Sequence, residues 1–591
     1  MIAFAHRAEN LLLAATLAVL VLLGVASAST RFADTDELIR HLTLVVGMLG
    51  GMAAARDGRL LSMGTIAQAL PDSWKPFTAA YTGLVGTTVA ALLTFAAWQF
   101  VAGEAGSSSS LAFGVPRIVL QAVMPLGFAF ITLRLARHAA AGLALRIAVL
   151  VIAAGLAFAV SQLDGGFATL RTPMLFALAA AIVLGAPIFV GLAGIALIFF
   201  ISAGDPIASV PLDHYDQVTN PLLATLPLFT LAGYVVAASG AARRLVRLLR
   251  AWSGHLRGGP AVITVFACAF FTAFTGGSGV TILALGGLLM PILLSSRYGG
   301  DAALGLVTGA GSLGVLFAPC LPLILYSIVA QVSIGEMFLG GAVPGLVMIA
   351  MACAWGIAVS PKARIRSHFS WRRAVVTTWR AKWELLLPVV PLVLIFGGFA
   401  LPVPAAALTA AYALLVAALV NRDLPRGEKL VEVLRECGLL VGGVLLILGA
   451  AMGLTNLLIT EHVPDRLTAW IDSAIDSRWA FLLTLNLFLL AVGCLMDIFS
   501  AIIVVAPLIV PVAVAFGVDP VHLGIILLAN LELGYLTPPV GLNLFMSASR
   551  FHRPVLEVAR ASVPMLIVLA VGVALITAFP QLTLALPRWA L

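Results

Sequence analysis

The chain is 591 residues long, 61% hydrophobic and only 10% charged, with a mean hydropathy of +1.10. A water-soluble fold must wet its outside and cannot hide that much apolar surface, so composition excludes a soluble globular protein and points to a polytopic membrane protein. The net charge of +8 is gathered in short loops, as on the cytoplasmic side of a membrane protein, and calls for no nucleic-acid partner.

In chain order, apolar segments fall near 10–28, 39–56, 78–102, 116–136 and 143–161. The first is preceded by Arg7 and followed by small residues, a pattern shared with cleaved signal peptides; a retained first helix is expected, because membrane segments follow from residue 39 onward. The stretch 103–114 is a flexible, nearly uncharged loop. The run 173–203 is interrupted at Gly185-Ala186-Pro187 and either crosses twice or re-enters. Further segments lie near 220–240, 259–296, 302–332, 340–359, 384–400, 402–420, 437–459, 479–516, 521–549 and 561–580. None alternates with period two, so helices are expected and a β-barrel is not.

Charge sets the orientation. Residues 241–257 carry Arg243, Arg244, Arg247, Arg250 and Arg257. Residues 361–382 carry Lys362, Arg364, Arg366, Arg372, Arg373, Arg380 and Lys382. With Trp371, Trp379 and Trp383 that second stretch suits an amphipathic helix on the inner leaflet. By contrast 204–220 holds Asp205, Asp213 and Asp216 and no Lys or Arg. The basic loops are therefore read as cytoplasmic, with a cytoplasmic N-terminus and a periplasmic C-terminus. Segment 259–296 then starts and ends on one side, a re-entrant hairpin turning at Gly276-Gly277-Ser278-Gly279. Segment 479–516 is a second hairpin from the opposite face, turning near Asp497 to Ala501.

A shift of 220 residues brings Gly233 onto Gly453, Pro291 onto Pro511, Gly314 onto Gly534, Pro319 onto Pro539 and Pro344 onto Pro564. Two inverted units, about 220–359 and 437–580, follow, each a hairpin plus a crossing helix broken by Gly and Pro (309–322 and 531–545). Inverted repeats with broken helices are a transporter signature, and broken backbone at membrane depth persists only where protein or a watery cavity surrounds it. Freed carbonyls and hydroxyls can ligate Na⁺, and half-helix N-termini attract anions. The candidate Na⁺ and substrate residues are Gly277, Ser278, Gly279 and Thr281 at one tip, Asp497 and Ser500 at the other, and Ser312, Gly314, Thr537, Pro538, Gly541 and Asn543 at the breaks. Asp497 could equally cap its own helix, and Ser312 could bond back to the preceding turn. Glu532, one turn before the second break, is a candidate proton carrier.

Near the N-terminus, Glu37 and Arg40 are expected to pair along one helix, and Arg56 and Arg59 to snorkel to headgroups. Cys268, Cys320, Cys353, Cys437 and Cys494 show no CxxC spacing, so no disulfide framework or zinc site is indicated. No GxxxxGK[ST] is present, so no ATP is used. The scattered histidines and the lack of paired carboxylates argue against an intramembrane enzyme.

GGSGVTILALGGLLMPIL (276–293), GSLGVLFAP (311–319), VSIGEMFLGGAVPG (332–345), GCLMDIFSAIIVVAPLIVP (493–511) and DPVHLGIILLANLELGYLTPPVGLNLF (519–545) resemble the large membrane subunit of tripartite ATP-independent periplasmic (TRAP) transporters. DELIRHLTLVVGMLGGMAAARDGRLLSM (36–63) and VMPLGFAFITLRL (123–135) resemble, more loosely, the small subunit. The resemblance implies an all-α fused permease of the bacterial inner membrane. Residues 1–140 would be a four-helix scaffold, 141–170 a linker helix and 171–591 an elevator-type transport domain. It implies a Na⁺-coupled importer of a small organic anion, a carboxylate or a sialic-acid-like one, delivered by a separate periplasmic substrate-binding protein. The alternative is a self-sufficient Na⁺- or H⁺-coupled dicarboxylate symporter. Many relatives read PPS where this chain has Ala318-Pro319-Cys320, so ligands at the first break would differ.

Overall fold

The computed structural model describes residues 2–29, 33–62, 71–105, 110–111, 114–139, 142–161, 168–361, 369–424, 426–475 and 477–590. Half of the loop expected at 103–114, and the basic residues Lys362, Arg364 and Arg366, lie outside them. The described residues are almost entirely helical. Twelve of their helices are long and apolar enough to cross a membrane.

Helices α1 (Ile2–Ser29), α2 (Ala33–Arg56), α3 (Lys75–Glu104), α4 (Arg117–Gln121), α5 (Val123–Ala139), α6 (Leu143–Ser161), α7 (Ala168–Val183), α8 (Ile188–Ala203) and α9 (Ser209–Val218) come first. The run 173–203 is thus two helices, parted at Gly185-Ala186-Pro187, where proline cannot extend the ladder. Then follow α10 (Thr225–Ala238), α11 (Ala241–Ser253), α12 (Gly259–Thr275), α13 (Ser278–Ser295), α14 (Gly300–Ala310), α15 (Leu321–Val329), α16 (Ile334–Ala358), α17 (Trp371–Arg380), α18 (Lys382–Leu386), α19 (Val389–Phe396) and α20 (Pro402–Leu415). The last are α21 (Glu428–Thr460), α22 (Val463–Ala474), α23 (Arg478–Leu495), α24 (Ile498–Ala515), α25 (Pro520–Gly534), α26 (Leu542–Phe551), α27 (Val555–Ala578) and α28 (Gln581–Ala590).

The chain forms two compact units. One comprises Met1–Pro227 and Val431–Arg466, the other Leu228–Leu430 and Leu467–Leu591. Most of α21 therefore folds with the N-terminal helices, which no feature of the linear sequence announces. It reaches α2 through facing glycines: a Cβ at Gly50 would collide with the backbone of Gly438 and Gly442. Small residues let two apolar helices approach this closely.

The first unit also corrects two expectations about charge, those for Arg56 and for Glu37 with Arg40. Arg56 does not reach for headgroups. It is buried and ion-paired, with Nη1 2.8 Å from Glu9 and Nε 2.9 Å from Asp57. Arg59 meets Glu436 at 2.7 Å. Glu37 pairs with Arg117, 2.5 Å away, instead of its helical neighbour Arg40. For Arg56 and Glu37 a partner distant in sequence offered a better geometry than headgroups or an adjacent turn, whereas Arg59 stays more than half exposed. Burial alone would raise the Asp57 carboxyl. Hydrogen bonds and charge from Arg56 and Arg435 outweigh it and hold Asp57 below the usual carboxylate value. A depressed carboxylate stabilises the fold above its unfolded pKa of about 4, and that contribution is lost as pH falls through the folded value. Asp57→Asn should therefore lower the thermal unfolding temperature at pH 7 and narrow its gap to wild type in more acidic buffer. A gap that stays constant with pH would refute the pairing.

In the second unit the 220-residue repeat is visible helix by helix. Moved by that shift, the span of α12 falls on α23, and those of α13, α14, α15 and α16 fall on α24, α25, α26 and α27, with ends agreeing to within a few residues. Packing follows the same relation: α13 lies against α26, and its equivalent α24 lies against α15, the equivalent of α26. Each hairpin thus rests on the broken helix of the other repeat. The peptide bonds before Pro319 and Pro539 are both cis.

Candidate functional site

Helix α12 stops at Gly276, whose φ of 65° is left-handed, and Gly277 is extended before Ser278 opens α13. The turn is thus shorter than expected: Ser278 and Gly279 already belong to the second arm. Three threonines line its inside. Thr272 Oγ1 is 2.7 Å from Thr281 Oγ1 and 2.6 Å from the carbonyl oxygen of Gly311. Thr275 Oγ1 is 3.3 Å from the Gly277 carbonyl and 3.4 Å from Thr281. Gly277 has no side chain to cap α13. The Ser278 hydroxyl is buried with no hydrogen-bond partner among the described residues.

The break between α14 and α15 brings its groups to the same place. Gly314 is required by close approach, since a Cβ there would collide with the backbone of Ala269 and Ala273 on α12. Its repeat equivalent Gly534 would collide with the backbone of Gly493 on α23, the residue equivalent to Ala273. Ser312 is fully buried and its Oγ lies 3.4 Å from the Gly309 carbonyl, the back-bonding arrangement that stood as one of its two expected roles.

Asn543, on α26 of the other repeat, joins this group. Its Nδ2 donates to the Thr308 carbonyl at 3.1 Å and approaches Ser312 Oγ at 3.4 Å. A carbonyl only accepts, so the amide nitrogen must face Thr308. That leaves Oδ1 buried with no partner among the described residues. Thr308 Oγ1 in turn lies 2.9 Å from Ser547 Oγ. Beside them is Glu532, fully buried, with both carboxylate oxygens unpartnered among the described residues. The Ser312 side chain lies close enough to interact with it. The 220-residue shift superposes Ser312 on Glu532, so the two lie where the repeats meet.

The second tip differs. Asp497 caps α24, accepting from the Phe499 and Ser500 amides at 3.0 and 3.1 Å, and its other oxygen pairs with the Ser500 hydroxyl. Tyr535 takes the remaining amide, that of Ile498, at 2.7 Å. The N-terminus of α24 is therefore closed by side chains where that of α13 is open. Asp497 is the repeat equivalent of Gly277 and Tyr535 that of Val315, so two positions account for the difference. Gly541, with φ 49°, begins α26 in a conformation that favours glycine and donates to the Cys494 carbonyl at 3.4 Å. Thr537 bonds back to Leu533 at 3.1 Å, and Pro538 is exposed.

The sequence-derived residues thus fall into two groups. Gly277, Ser278, Gly279, Thr281, Ser312, Gly314 and Asn543 surround the first tip; Asp497, Ser500, Thr537, Pro538 and Gly541 belong to the second. Sequence reasoning missed Thr272, Thr308, Ser547 and Tyr535. Hydroxyls are common in apolar helices, and only the packing of α12, α14 and α26 shows which of them converge.

Residues 175–582 match the family described as Tripartite ATP-independent periplasmic transporter, DctM component, and residues 16–145 match the DctQ component of the same transporters. The chain belongs to this family, as a permease that fuses the two components. A TRAP permease is a transport component and not an enzyme, and the chain is a multi-pass membrane protein. The isethionate TRAP transporter permease protein DctMQ of Oleidesulfovibrio alaskensis is 31% identical over 571 residues, 92% of this chain and 87% of that one. The C4-dicarboxylate TRAP transporter large permease protein DctM of Pseudomonas aeruginosa is 36% identical over 401 residues, 68% of this chain and 93% of that one. The sialic acid TRAP transporter large permease protein SiaM of Vibrio cholerae is 31% identical over 382 residues, 63% and 87% of the two. The crystal structure of the Alcanivorax borkumensis YdaH transporter superposes with a TM-score of 0.45 at 12% identity, covering 63% of this chain and 87% of that one.

Proposed function

We propose that the chain is the inner-membrane permease of a Na⁺-coupled importer for a small organic anion, supplied by a separate periplasmic substrate-binding protein. Residues 1–140 act as scaffold and 141–170 as linker, and within 171–591 the part that moves as an elevator is the second compact unit, Leu228–Leu430 with Leu467–Leu591. Within it α12–α13 and α23–α24 enter from opposite faces as re-entrant hairpins, with the N-terminus of the chain cytoplasmic and the C-terminus periplasmic. The observation that carries the reading is the set of buried, unpartnered oxygens around the first tip: Ser278 Oγ, Asn543 Oδ1 and both oxygens of Glu532. Orphaned acceptors at a chain break lose hydrogen bonds worth about 1–3 kcal/mol each unless a ligand meets them. A hard cation taking hydroxyl, amide and carboxyl oxygens suits them. The open N-terminus of α13 suits an anion. The names of the relatives, isethionate, C4-dicarboxylate and sialic acid, support an organic acid as cargo.

Purified chain in proteoliposomes should take up substrate only with an inward Na⁺ gradient and a cognate binding protein present. Full uptake without that protein would leave the self-sufficient symporter as the reading. Loss of one ligand from a Na⁺ site costs about 1–3 kcal/mol, so Ser278→Ala and Asn543→Ala should raise the half-saturating Na⁺ concentration roughly 5- to 100-fold. Na⁺ titrations unchanged in both variants would remove these residues from the ion sites.

A further inference from the structure

The two basic segments of the second unit converge on one cavity of about 420 Å³. Arg247 and Arg250 reach it from α11, His255 from the turn that follows, and Arg373 from α17. No carboxylate lines it, and none of the three arginines has an ion pair among the described residues. Arg247 spends only its Nε, on the Arg243 carbonyl at 3.1 Å. Three guanidinium groups around one space repel each other unless an anion lies between them.

The remaining walls mix the hydroxyls of Ser295, Ser296, Ser370 and Thr377 with apolar side chains. Pro260 and Ile263 come from the start of α12 and Ile292 from the end of α13, so the cavity opens at the base of the first hairpin. Aromatic side chains lie beside the elements that line it. Trp252 donates from Nε1 to Thr378 at 2.9 Å, tying α11 to α17. Trp371 stands edge-on to Trp252 with ring centres 5.7 Å apart, and Phe369 lies 4.9 Å from the His255 ring. Trp371 and Trp379 are 64% and 69% exposed, and Lys382 sits 3.4 Å over the Trp379 ring. Exposed tryptophans beside basic side chains mark the depth of lipid headgroups.

We propose that this cavity holds the phosphate of an anionic phospholipid, with Arg247, Arg250 and Arg373 on the phosphate and the upper acyl chain against Ile263 and Ile292. A soluble anion would satisfy the arginines but would leave the apolar side chains and the neighbouring aromatic ones without a role. The lipid would brace α11 and α17 against the base of the first hairpin.

The test uses the full chain in mild detergent, titrated with phosphatidylglycerol or phosphatidylcholine and read by native mass spectrometry and thermal unfolding. The wild type should retain phosphatidylglycerol over phosphatidylcholine and be stabilised by it. Arg373→Gln, on an exposed helix face, should lose about fivefold in retention, and the triple glutamine variant more, since each basic side chain at a lipid surface contributes a factor of that order. Equal retention of the two lipids by the wild type, or undiminished phosphatidylglycerol retention in Arg373→Gln, would overturn the proposal. So would stabilisation by inorganic phosphate matching that of phosphatidylglycerol, which would assign the cavity to a soluble anion. If the triple variant does not fold, Arg373→Gln decides alone.

Discussion

Valine at Gly314 or at Gly534 should reduce substrate uptake by roughly 5- to 100-fold while the chain still inserts into the membrane. At each position the space for a side chain is taken by backbone: Ala269 and Ala273 beside Gly314, Gly493 beside Gly534. A flexible side chain could swing away, but main chain within a helix cannot. The first arm of the hairpin must therefore separate from the broken helix. Overpacking of this kind costs about 1–3 kcal/mol, which corresponds to roughly 5- to 100-fold in any equilibrium that needs the close-packed form. Thr272 and Gly311, whose 2.6 Å hydrogen bond spans the same contact, would be drawn apart with the buried oxygens proposed above to bind the cation. Alanine at each position should give a smaller loss. Uptake at wild-type level in both valine variants, with equal amounts of protein in the membrane, would show that the contact does not matter to transport.

Glu9→Leu should destabilise the first unit by about 3–5 kcal/mol, the usual consequence of removing one partner from a buried ion network. Glu9 accepts from Arg56 at 2.8 Å and from Arg134 through two nitrogens at 2.6 and 2.9 Å. Its side chain is 9% exposed and that of Arg56 8%. Without the carboxylate two guanidinium groups remain close together, and Arg134 has no other acidic partner among the described residues. Folded yield and unfolding temperature in detergent should both fall. Glu9→Leu combined with Arg134→Leu should recover part of the loss, because the second change removes a stranded charge. A single variant as stable as wild type would show that water reaches these groups after all.

Much of this architecture could be read before any coordinates. Apolar runs of membrane length dictate helices, because lipid offers the backbone no other hydrogen-bond partner. Glycine and proline act locally through sterics and a missing amide, so the breaks at 309–322 and 531–545 and the turns at Gly276-Gly277 and Asp497 lie close to their expected places. The 220-residue spacing was carried by the same punctuating residues, and the helix ends follow it. Each of these depends on interactions within a few residues along the chain.

What the sequence could not supply were contacts between groups far apart in it. Arg56 reads as a headgroup ligand until packing brings Glu9, 47 residues away, beside it. Asn543 became part of the first tip only because α26 lies against α13. Thr272, Thr308 and Ser547 were indistinguishable from other hydroxyls in apolar helices until packing brought them together. A side chain's type and its local helix come from the linear order of residues; whether its polar atom is paired, stranded or poised for a ligand is decided by neighbours that only tertiary packing delivers.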